Sequence, residues 1–173
     1  MTARPRVVLV GTMGAGKTTV GRVLAEAWGV GFRDSDHDVE EAEGRSVSDI
    51  FVDSGEAAFR ALEHAAVATA LEEHDGVLAL GGGAVLDEDT RSRLSGHRVV
   101  FLRVGLSDAA HRVGLGVSRP LLLGNVRGRI KQLIDERTPV YESVATHVVD
   151  TDGLSVAEVV EQVRTAVEDE SHG

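Results

Sequence analysis

The stretch that decides the fold is Gly11-Thr12-Met13-Gly14-Ala15-Gly16-Lys17-Thr18, which follows Val7-Val8-Leu9-Val10. It fits the pattern of a phosphate-binding loop (P-loop): glycine, four residues of any type, glycine, lysine, then serine or threonine. The apolar run before it is mostly β-branched and indicates a strand buried on both faces. Residues 18–28 place apolar side chains at helical spacing, so the glycines lie in a strand-to-helix turn, as the motif requires.

The residue types in this turn suit it to binding phosphate. Gly11, Gly14 and Gly16 allow positive φ angles and a close approach of the backbone to a ligand. Several backbone N–H groups then point at one phosphate, with the positive end of the next helix behind them. Lys17 reaches the β- and γ-phosphates, and the Thr18 hydroxyl ligates Mg²⁺. A glycine-rich turn that binds nothing is the alternative, but the complete motif favours a nucleoside triphosphate.

Composition narrows the class of protein. The chain has 173 residues, which is enough for one domain with a substantial core but short for two domains. Its formal net charge of −10 argues against general binding to nucleic acid or to a membrane surface. The absence of cysteine excludes disulfides and thiolate metal sites, and no apolar run reaches transmembrane length. We therefore expect a cytoplasmic monomer whose partners are small molecules.

Hydrophobic patterning predicts strands that alternate with helices along the chain. Besides residues 7–10, strands are predicted at about 30–36, 76–80, 98–104 and 147–149. Helices are predicted at 18–28, 37–43, 46–52, 56–73, 87–94, 107–113, 128–143 and from 155 onward. This alternation indicates a parallel sheet covered by helices on both faces, which is an α/β three-layer domain.

Local signals refine the helix ends. Serines at positions typical of N-caps are Ser46 or Ser48, then Ser107 and Ser155. Pro139 is expected to kink or restart the helix that contains it. Residues 114–128 show no clear period, and we interpret them as a mobile flap.

Two further stretches follow predicted strands at the edge where such sheets bind ligands. Asp34 and Asp36 follow the second strand, so one carboxylate can hold Mg²⁺ while the other accepts a proton from a substrate hydroxyl. A solvated turn or helix cap is the alternative for this pair, and the neighbouring P-loop makes it the less favoured one. Residues 81–83 are three glycines after the third strand, which offer bare N–H groups to an anionic or polyhydroxy substrate.

Three arginines are candidates to meet anions. Arg60 lies beside inward-facing Phe59 on an amphipathic helix, where a buried cation needs an anion, either a substrate or a structural ion pair. Arg137 precedes the Thr138-Pro139 break, where the chain can turn its guanidinium towards the site. Arg119, in the flap, could neutralise a transferred phosphoryl group on closure, although a plain surface loop explains it equally well.

The chain resembles the shikimate kinases, P-loop kinases of a small molecule, over nearly its full length. The motifs that carry the resemblance, besides the P-loop, are Asp34-Ser-Asp36, Phe59-Arg60-x-x-Glu63, Leu80-Gly-Gly-Gly83, Arg119-Pro-Leu121 and Arg137-x-x-x-Tyr141. The resemblance implies one domain over residues 1–173, with a five-stranded parallel sheet and a central P-loop strand. It also implies a helical substrate-binding segment at about 34–62 and a lid at about 112–125.

The resemblance implies transfer of the γ-phosphoryl group of ATP to the 3-hydroxyl of shikimate, in aromatic amino acid biosynthesis. Asp36 would bind the accepting hydroxyl and act as its base, and Arg60 and Arg137 would bind the shikimate carboxylate. Thr18 would ligate Mg²⁺ directly and Asp34 through water. The remaining implied roles are nucleotide binding by Gly14, Ala15, Gly16, Lys17, Thr18, Thr19, Arg112 (on adenine) and Arg119 (on phosphates), catalysis by Lys17 and Arg119, and shikimate binding by Gly81, Gly82 and Gly83.

Other functions on the same scaffold remain as alternatives. A gluconate-type or other small-molecule kinase is the nearest, and a nucleoside monophosphate kinase is less favoured. A regulatory P-loop protein is a different class, but a GTPase would need an Asn-Lys-x-Asp signature, and the chain's single asparagine, Asn125, precedes Val126.

Overall fold

The computed structural model describes residues 4–116 and 126–171. Five strands form one parallel sheet in the order β2-β3-β1-β4-β5, which confirms the predicted α/β class and the central P-loop strand. The strands are β1 (Val7–Val10), β2 (Phe32–Asp34), β3 (Val77–Ala79), β4 (Val99–Arg103) and β5 (His147–Asp150). The helices are α1 (Lys17–Trp28), α2 (Ser35–Glu43), α3 (Val47–Ser54), α4 (Glu56–Glu73), α5 (Glu88–Leu94), α6 (Leu106–Gly116), α7 (Val126–Val144) and α8 (Val156–Ser171).

The central strand β1 divides the core into two layers because its side chains alternate between the faces of the sheet. Val7 and Leu9 pack into one cluster with residues from α1, α6 and α8. Val8 and Val10 pack into the other with residues from α4 and α5. All four side chains of β1 are at most 1% exposed, as expected for a strand covered by helices on both faces.

The register of the strands brings three loops to the same edge. Leu9 of β1 and Asp34 of β2 both lie opposite Ala79, the last residue of β3. The P-loop, the start of α2 and the glycines at 81–83 therefore leave the sheet side by side. Beyond this edge α2, α3 and α4 enclose a small cluster of Val39, Ile50 and Phe59 within the predicted substrate-binding segment.

Two predicted helix starts are wrong, and in both cases an aspartate side chain accepts a backbone N–H at the observed start. The second strand ends at Asp34 and α2 begins at Ser35, because the Asp34 carboxylate accepts the N–H of Asp36 at 2.9 Å and caps the helix. Helix α6 begins at Leu106 rather than after Ser107, and the N–H of Gly105 before it donates to Asp152 at 2.8 Å. Helix α6 then continues to Gly116, into the predicted flap.

Of the other predictions for the helices, two N-caps are confirmed and the restart at Pro139 is not. Ser46 and Ser155 both accept the N–H three residues on, at 3.1 Å, so both N-caps are confirmed. Pro139 does not restart its helix, since α7 runs continuously through it. Buried side chains on either side of the proline, Ile130 and Tyr141, hold both halves of α7 against the sheet. Within the described ranges, no helix combines the length and apolar character needed to cross a membrane.

Candidate active site

The P-loop has the backbone geometry that its glycines predict. Gly11, Gly14 and Gly16 have φ angles of 153°, 83° and 91°, a region that residues with a side chain rarely occupy. A Cβ on Gly11 would also lie 2.7 Å from the carbonyl oxygen of Leu102, so this glycine is required sterically as well. Gly16 is the N-cap of α1 and offers no side-chain acceptor, so no cap side chain competes with a ligand for the first N–H groups of the helix.

Lys17 lies where the P-loop meets the two aspartates. Its Nζ donates to the carbonyl oxygens of Gly11 at 2.6 Å and Thr12 at 3.2 Å. Burial lowers the pKa of Lys17 from its usual value to about 8, although the negative charges of Asp36 and Asp34 act in the opposite direction. A desolvated ammonium of this kind interacts strongly with an anion that enters the loop, because little water screens it.

This pKa predicts how ATP use depends on pH. Lys17 carries its charge below a pH of about 8 and loses it above, so kcat/KM for ATP should be level below that pH and fall roughly tenfold per pH unit above it. A series of initial rates with varied ATP from pH 6.5 to 9.5 measures this. With ATP saturating, the bound phosphates favour the charged lysine, so the fall in kcat should move to higher pH. If kcat and kcat/KM for ATP fell at the same pH, the fall could not be assigned to Lys17.

Thr18 and Asp34 form a pair of oxygen donors beside the P-loop. The Thr18 hydroxyl donates to one carboxylate oxygen of Asp34 at 3.1 Å, and the other oxygen caps α2. A hydroxyl and a carboxylate are hard oxygen donors of the kind that Mg²⁺ prefers. The two residues predicted to hold the metal therefore lie next to each other, with chemistry that fits the ion. The neighbouring Thr19 is exposed in the first turn of α1.

The carboxylate of Asp36 lies against the first glycine of the loop at residues 81–83, which we call the substrate loop. A Cβ on Gly81 would lie 2.4 Å from Oδ1 of Asp36, so the carboxylate rests on the bare Cα. Burial raises the pKa of Asp36, the nearby Asp34 charge raises it further, and Lys17 opposes the change. A carboxylate that binds a proton more readily than usual suits a general base.

The other two glycines of the substrate loop face the two predicted carboxylate-binding arginines. A Cβ on Gly82 would lie 3.3 Å from Nη1 of Arg137, and one on Gly83 would lie 2.4 Å from Nη2 of Arg60. The substrate loop therefore brings together a carboxylate and two guanidinium groups from three separate helices. This convergence of Asp36, Arg60 and Arg137 is the central feature of the site.

Arg60 forms a structural ion pair, which was one of the two predicted alternatives for its charge. Its Nη1 donates to Oε1 of Glu63 at 2.7 Å, and its Nε lies 3.6 Å from Glu56. Glu63 is only 3% exposed, and burial raises its pKa while Arg60 opposes the change. Arg60 therefore forms a structural ion pair and also lies beside the substrate loop. Glu63 had no predicted role; its spacing of three residues from Arg60 on one helix was the available signal.

Arg112 contacts the opposite side of the P-loop. Its Nη1 donates to the carbonyl oxygen of Gly14 at 2.8 Å, and its Nη2 donates to that of Thr151 at 3.2 Å. Asp108, one turn earlier on α6, lies 3.8 Å away. Arg112 is thus placed beside the nucleotide loop, and its stacking on adenine stays a prediction. Arg119 and most of the predicted lid lie outside the described residues.

These features define a class. A P-loop after the central strand of a parallel sheet, with a paired hydroxyl and carboxylate beside it, suits a nucleoside triphosphate with magnesium. The substrate loop next to it, with one buried carboxylate and two arginines, suits a small anionic molecule that carries a hydroxyl. The fold and the site together are those of a P-loop kinase of a small carboxylated alcohol.

Comparison with known proteins specifies the family. The shikimate kinase family model matches residues 13–168. A shikimate kinase of Thermobifida fusca is 56% identical over 163 residues, 94% of this chain and 95% of that protein. The structure of a shikimate kinase from Acinetobacter baumannii in complex with shikimate has a TM-score of 0.90 at 33% identity, and the match covers 98% of this chain and 95% of that one. The chain belongs to the shikimate kinase family.

A more distant structure bears on the alternative function. A gluconokinase from Sinorhizobium meliloti 1021 has a TM-score of 0.62 at 21% identity, over 99% of this chain and 94% of that one. At this identity the likeness shows a shared fold alone. The family match and the high-identity relatives support shikimate kinase over the gluconate-type reading.

Proposed function

We propose that this protein transfers the γ-phosphoryl group of ATP to the 3-hydroxyl of shikimate. The observation that carries the proposal is the convergence of Asp36, Arg60 and Arg137 on the substrate loop beside the P-loop. The relative from Acinetobacter baumannii, whose structure contains shikimate, supports the choice of acceptor.

The acceptor is bound through complementary charge. The guanidinium groups of Arg60 and Arg137 bind the shikimate carboxylate, and Gly81, Gly82 and Gly83 let the ring approach the backbone. Arg60 is already oriented by Glu63, so little side-chain entropy is lost when the carboxylate binds. Asp36 lies against Gly81, next to the two glycines that face the arginines, and this position supports its carboxylate as the group that binds the hydroxyl to be phosphorylated.

The donor is bound by the P-loop. N–H groups of the loop and of the first turn of α1 hold the phosphates of ATP, and Lys17 contacts the group in transfer. Thr18 would hold Mg²⁺ directly and Asp34 through water, and the ion would neutralise charge on the phosphates. Arg112, which donates to the carbonyl oxygen of Gly14, would stack on the adenine.

The chemical step is an in-line displacement. The 3-hydroxyl oxygen bonds to the γ-phosphorus, the bond from that phosphorus to the β–γ bridging oxygen breaks, and ADP leaves. The hydroxyl proton passes to Asp36, whose pKa is raised by burial. Lys17 stabilises the charge on the transferred group, and Arg119 would add a second cation from the lid.

An assay of ADP release tests this function directly. Purified protein with ATP and Mg²⁺ is expected to release ADP when shikimate is added, and not with gluconate or AMP. The product should be shikimate 3-phosphate by phosphorus NMR. No shikimate-dependent turnover would overturn the proposal, and turnover with gluconate alone would establish the gluconate-type alternative.

We further infer that the protein acts as a monomer in the cytoplasm. Each group of the proposed acceptor site that the structure describes comes from one chain, and the cysteine-free composition suits a reducing compartment. Light scattering coupled to size-exclusion chromatography is expected to give the mass of one chain, 18.3 kDa.

The close contact between Gly83 and Arg60 predicts a selective effect on the acceptor. Gly83 has a φ of −98°, which alanine adopts without strain, so any effect of Gly83→Ala comes from the added Cβ. That Cβ would displace the Arg60 guanidinium, and we expect KM for shikimate to rise roughly tenfold or more. KM for ATP should stay within about twofold.

Gly82→Ala provides a graded comparison for this variant. The added Cβ would lie 3.3 Å from Nη1 of Arg137, whereas the Cβ added in Gly83→Ala would lie 2.4 Å from Nη2 of Arg60. The rise in KM for shikimate should therefore be smaller in Gly82→Ala. Initial rates at varied shikimate measure both. Equal KM values for wild-type protein and Gly83→Ala would contradict the placement of Arg60 at the substrate carboxylate.

A further inference from the structure

We propose that Ser35 and Tyr141 are positioning residues that clamp the substrate loop from two sides through its backbone. Their hydroxyl groups set the distances from the loop to Asp36 and to the two arginines. The inference rests on the proposed function for its kinetic consequences, but the clamp itself is a property of the free protein.

Ser35 holds the first residue of the loop. Its side chain is fully buried, and its Oγ accepts the N–H of Gly81 at 3.0 Å. The preceding N–H, that of Leu80, donates to Leu9 of β1, so the next N–H points towards β2, as in a parallel sheet. Strand β2 ends at Asp34, and the Ser35 hydroxyl supplies an acceptor where no further β2 carbonyl pairs with β3.

This bond connects the loop to the proposed base. Ser35 lies between Asp34, which caps α2, and Asp36, whose carboxylate rests on the Cα of Gly81. The hydrogen bond from Gly81 to Ser35 therefore fixes the loop relative to the residue that carries the carboxylate. The other hydrogen bond of Gly81, from the N–H of Ala84 to its carbonyl oxygen at 3.1 Å, joins it to the following turn and not to α2.

Tyr141 holds the second residue of the loop. Its phenol is fully buried and donates to the carbonyl oxygen of Gly82 at 2.6 Å. Burial raises the pKa of Tyr141 to about 12, so the hydroxyl keeps its proton and remains a donor throughout the working pH range. The ring packs on Phe101 of β4 with 5.0 Å between centroids, which fixes the hydroxyl relative to the sheet.

Tyr141 also relates the loop to one of the substrate-binding cations. Arg137 lies one turn earlier on α7, and its side chain interacts with the Tyr141 hydroxyl. The same Arg137 has its Nη1 3.3 Å from the Cβ position of Gly82. One turn of α7 thus supplies both the clamp on Gly82 and the guanidinium beside it.

The clamp answers a problem that the glycines create. Three successive glycines have little intrinsic preference for one conformation, so an unrestrained loop would lose much entropy when a substrate binds. The N–H groups of Ala84 and Leu86 bond to the carbonyl oxygens of Gly81 and Gly83 within the local turn. Two hydrogen bonds from distant residues, one to an N–H and one to a C=O, further restrict the loop before binding and fix it relative to α2 and α7. Loss of either is therefore expected to affect shikimate more than ATP.

Tyr141→Phe and Ser35→Ala test the proposal. Tyr141→Phe removes one oxygen and keeps the ring against Phe101. Each variant should lower kcat/KM for shikimate about tenfold or more, with KM for ATP within about twofold of wild type. In the free protein, the amide proton of Gly81 should exchange at least about tenfold faster in Ser35→Ala.

Thr146→Val is the matched control. The Thr146 hydroxyl bridges backbone groups of Val99 at 3.0 Å, a bond of the same kind at the other end of the sheet. Because Thr146 is exposed and the two test residues are buried, this variant should lose less thermal stability, and its kinetics for both substrates should be unchanged. If the two test variants change only stability, as Thr146→Val does, the positioning role is overturned.

The hydrogen-exchange measurement separates two possible failures. If wild-type protein does not phosphorylate shikimate, the proposed function fails, while faster exchange at Gly81 in Ser35→Ala still supports the clamp. If wild-type protein is active but exchange and kcat/KM for shikimate stay within twofold in both variants, the clamp is overturned and the proposed function stands.

Discussion

Replacing Lys17 with methionine is expected to remove phosphoryl transfer, with kcat reduced at least about 10³-fold. Methionine is unbranched and one atom shorter than lysine, and it carries no charge. The ammonium is partly desolvated and held at 2.6 Å from the carbonyl oxygen of Gly11, so its charge acts at short range with little screening by water. ADP release at saturating ATP and shikimate measures the loss.

Lys131→Met is the control, because the chain has only these two lysines. Lys131 lies on the exposed surface of α7 and pairs with Asp135 at 2.6 Å. Its replacement should leave kcat unchanged, since a solvent-exposed ion pair of this type contributes little. A normal kcat in Lys17→Met would mean that the P-loop lysine has no part in the transfer.

The fold was predictable because the strongest signals are local and physical. The strand of residues 7–10 is continuously apolar, as burial on both faces demands. The glycines after it adopt the positive φ angles that the P-loop motif predicts. Once the sheet is parallel, its carboxyl edge brings Asp34, Asp36 and the substrate loop together without any further information. The position of Arg60 followed from its place beside inward-facing Phe59.

The roles of Ser35 and Tyr141 did not follow from the sequence because their partners are distant along the chain. Ser35 and Gly81 are 46 positions apart, and Tyr141 and Gly82 are 59 apart. A buried serine or tyrosine has no periodicity that marks its role, and only the assembled sheet shows which backbone group it meets. For the same reason, the sequence did not predict that Asp152 accepts the N–H of Gly105, just before α6.

Asp36→Asn is expected to abolish turnover while ATP still binds. Asparagine has the same shape and cannot accept the hydroxyl proton, so kcat should fall at least about 10²-fold. The Asp36 charge raises the pKa of Lys17, so the affinity for ATP is measured well below pH 8, where Lys17 stays charged. Calorimetry should then give an unchanged affinity for ATP with Mg²⁺. Asp38→Asn, two residues along α2 and paired with Arg33 at 2.6 Å, should keep its activity.

The pH profile distinguishes a base from a residue that only orients the hydroxyl. Burial and the Asp34 charge raise the pKa of Asp36, so its active, deprotonated form is lost as the pH falls through a value above the usual aspartate range. Wild-type kcat/KM for shikimate should therefore decline on the acid side at a higher pH than an ordinary aspartate would cause. The residual activity of Asp36→Asn should lack that decline. Near-normal activity in this variant would instead assign the proton to another acceptor and leave Asp36 as a positioning group beside Gly81.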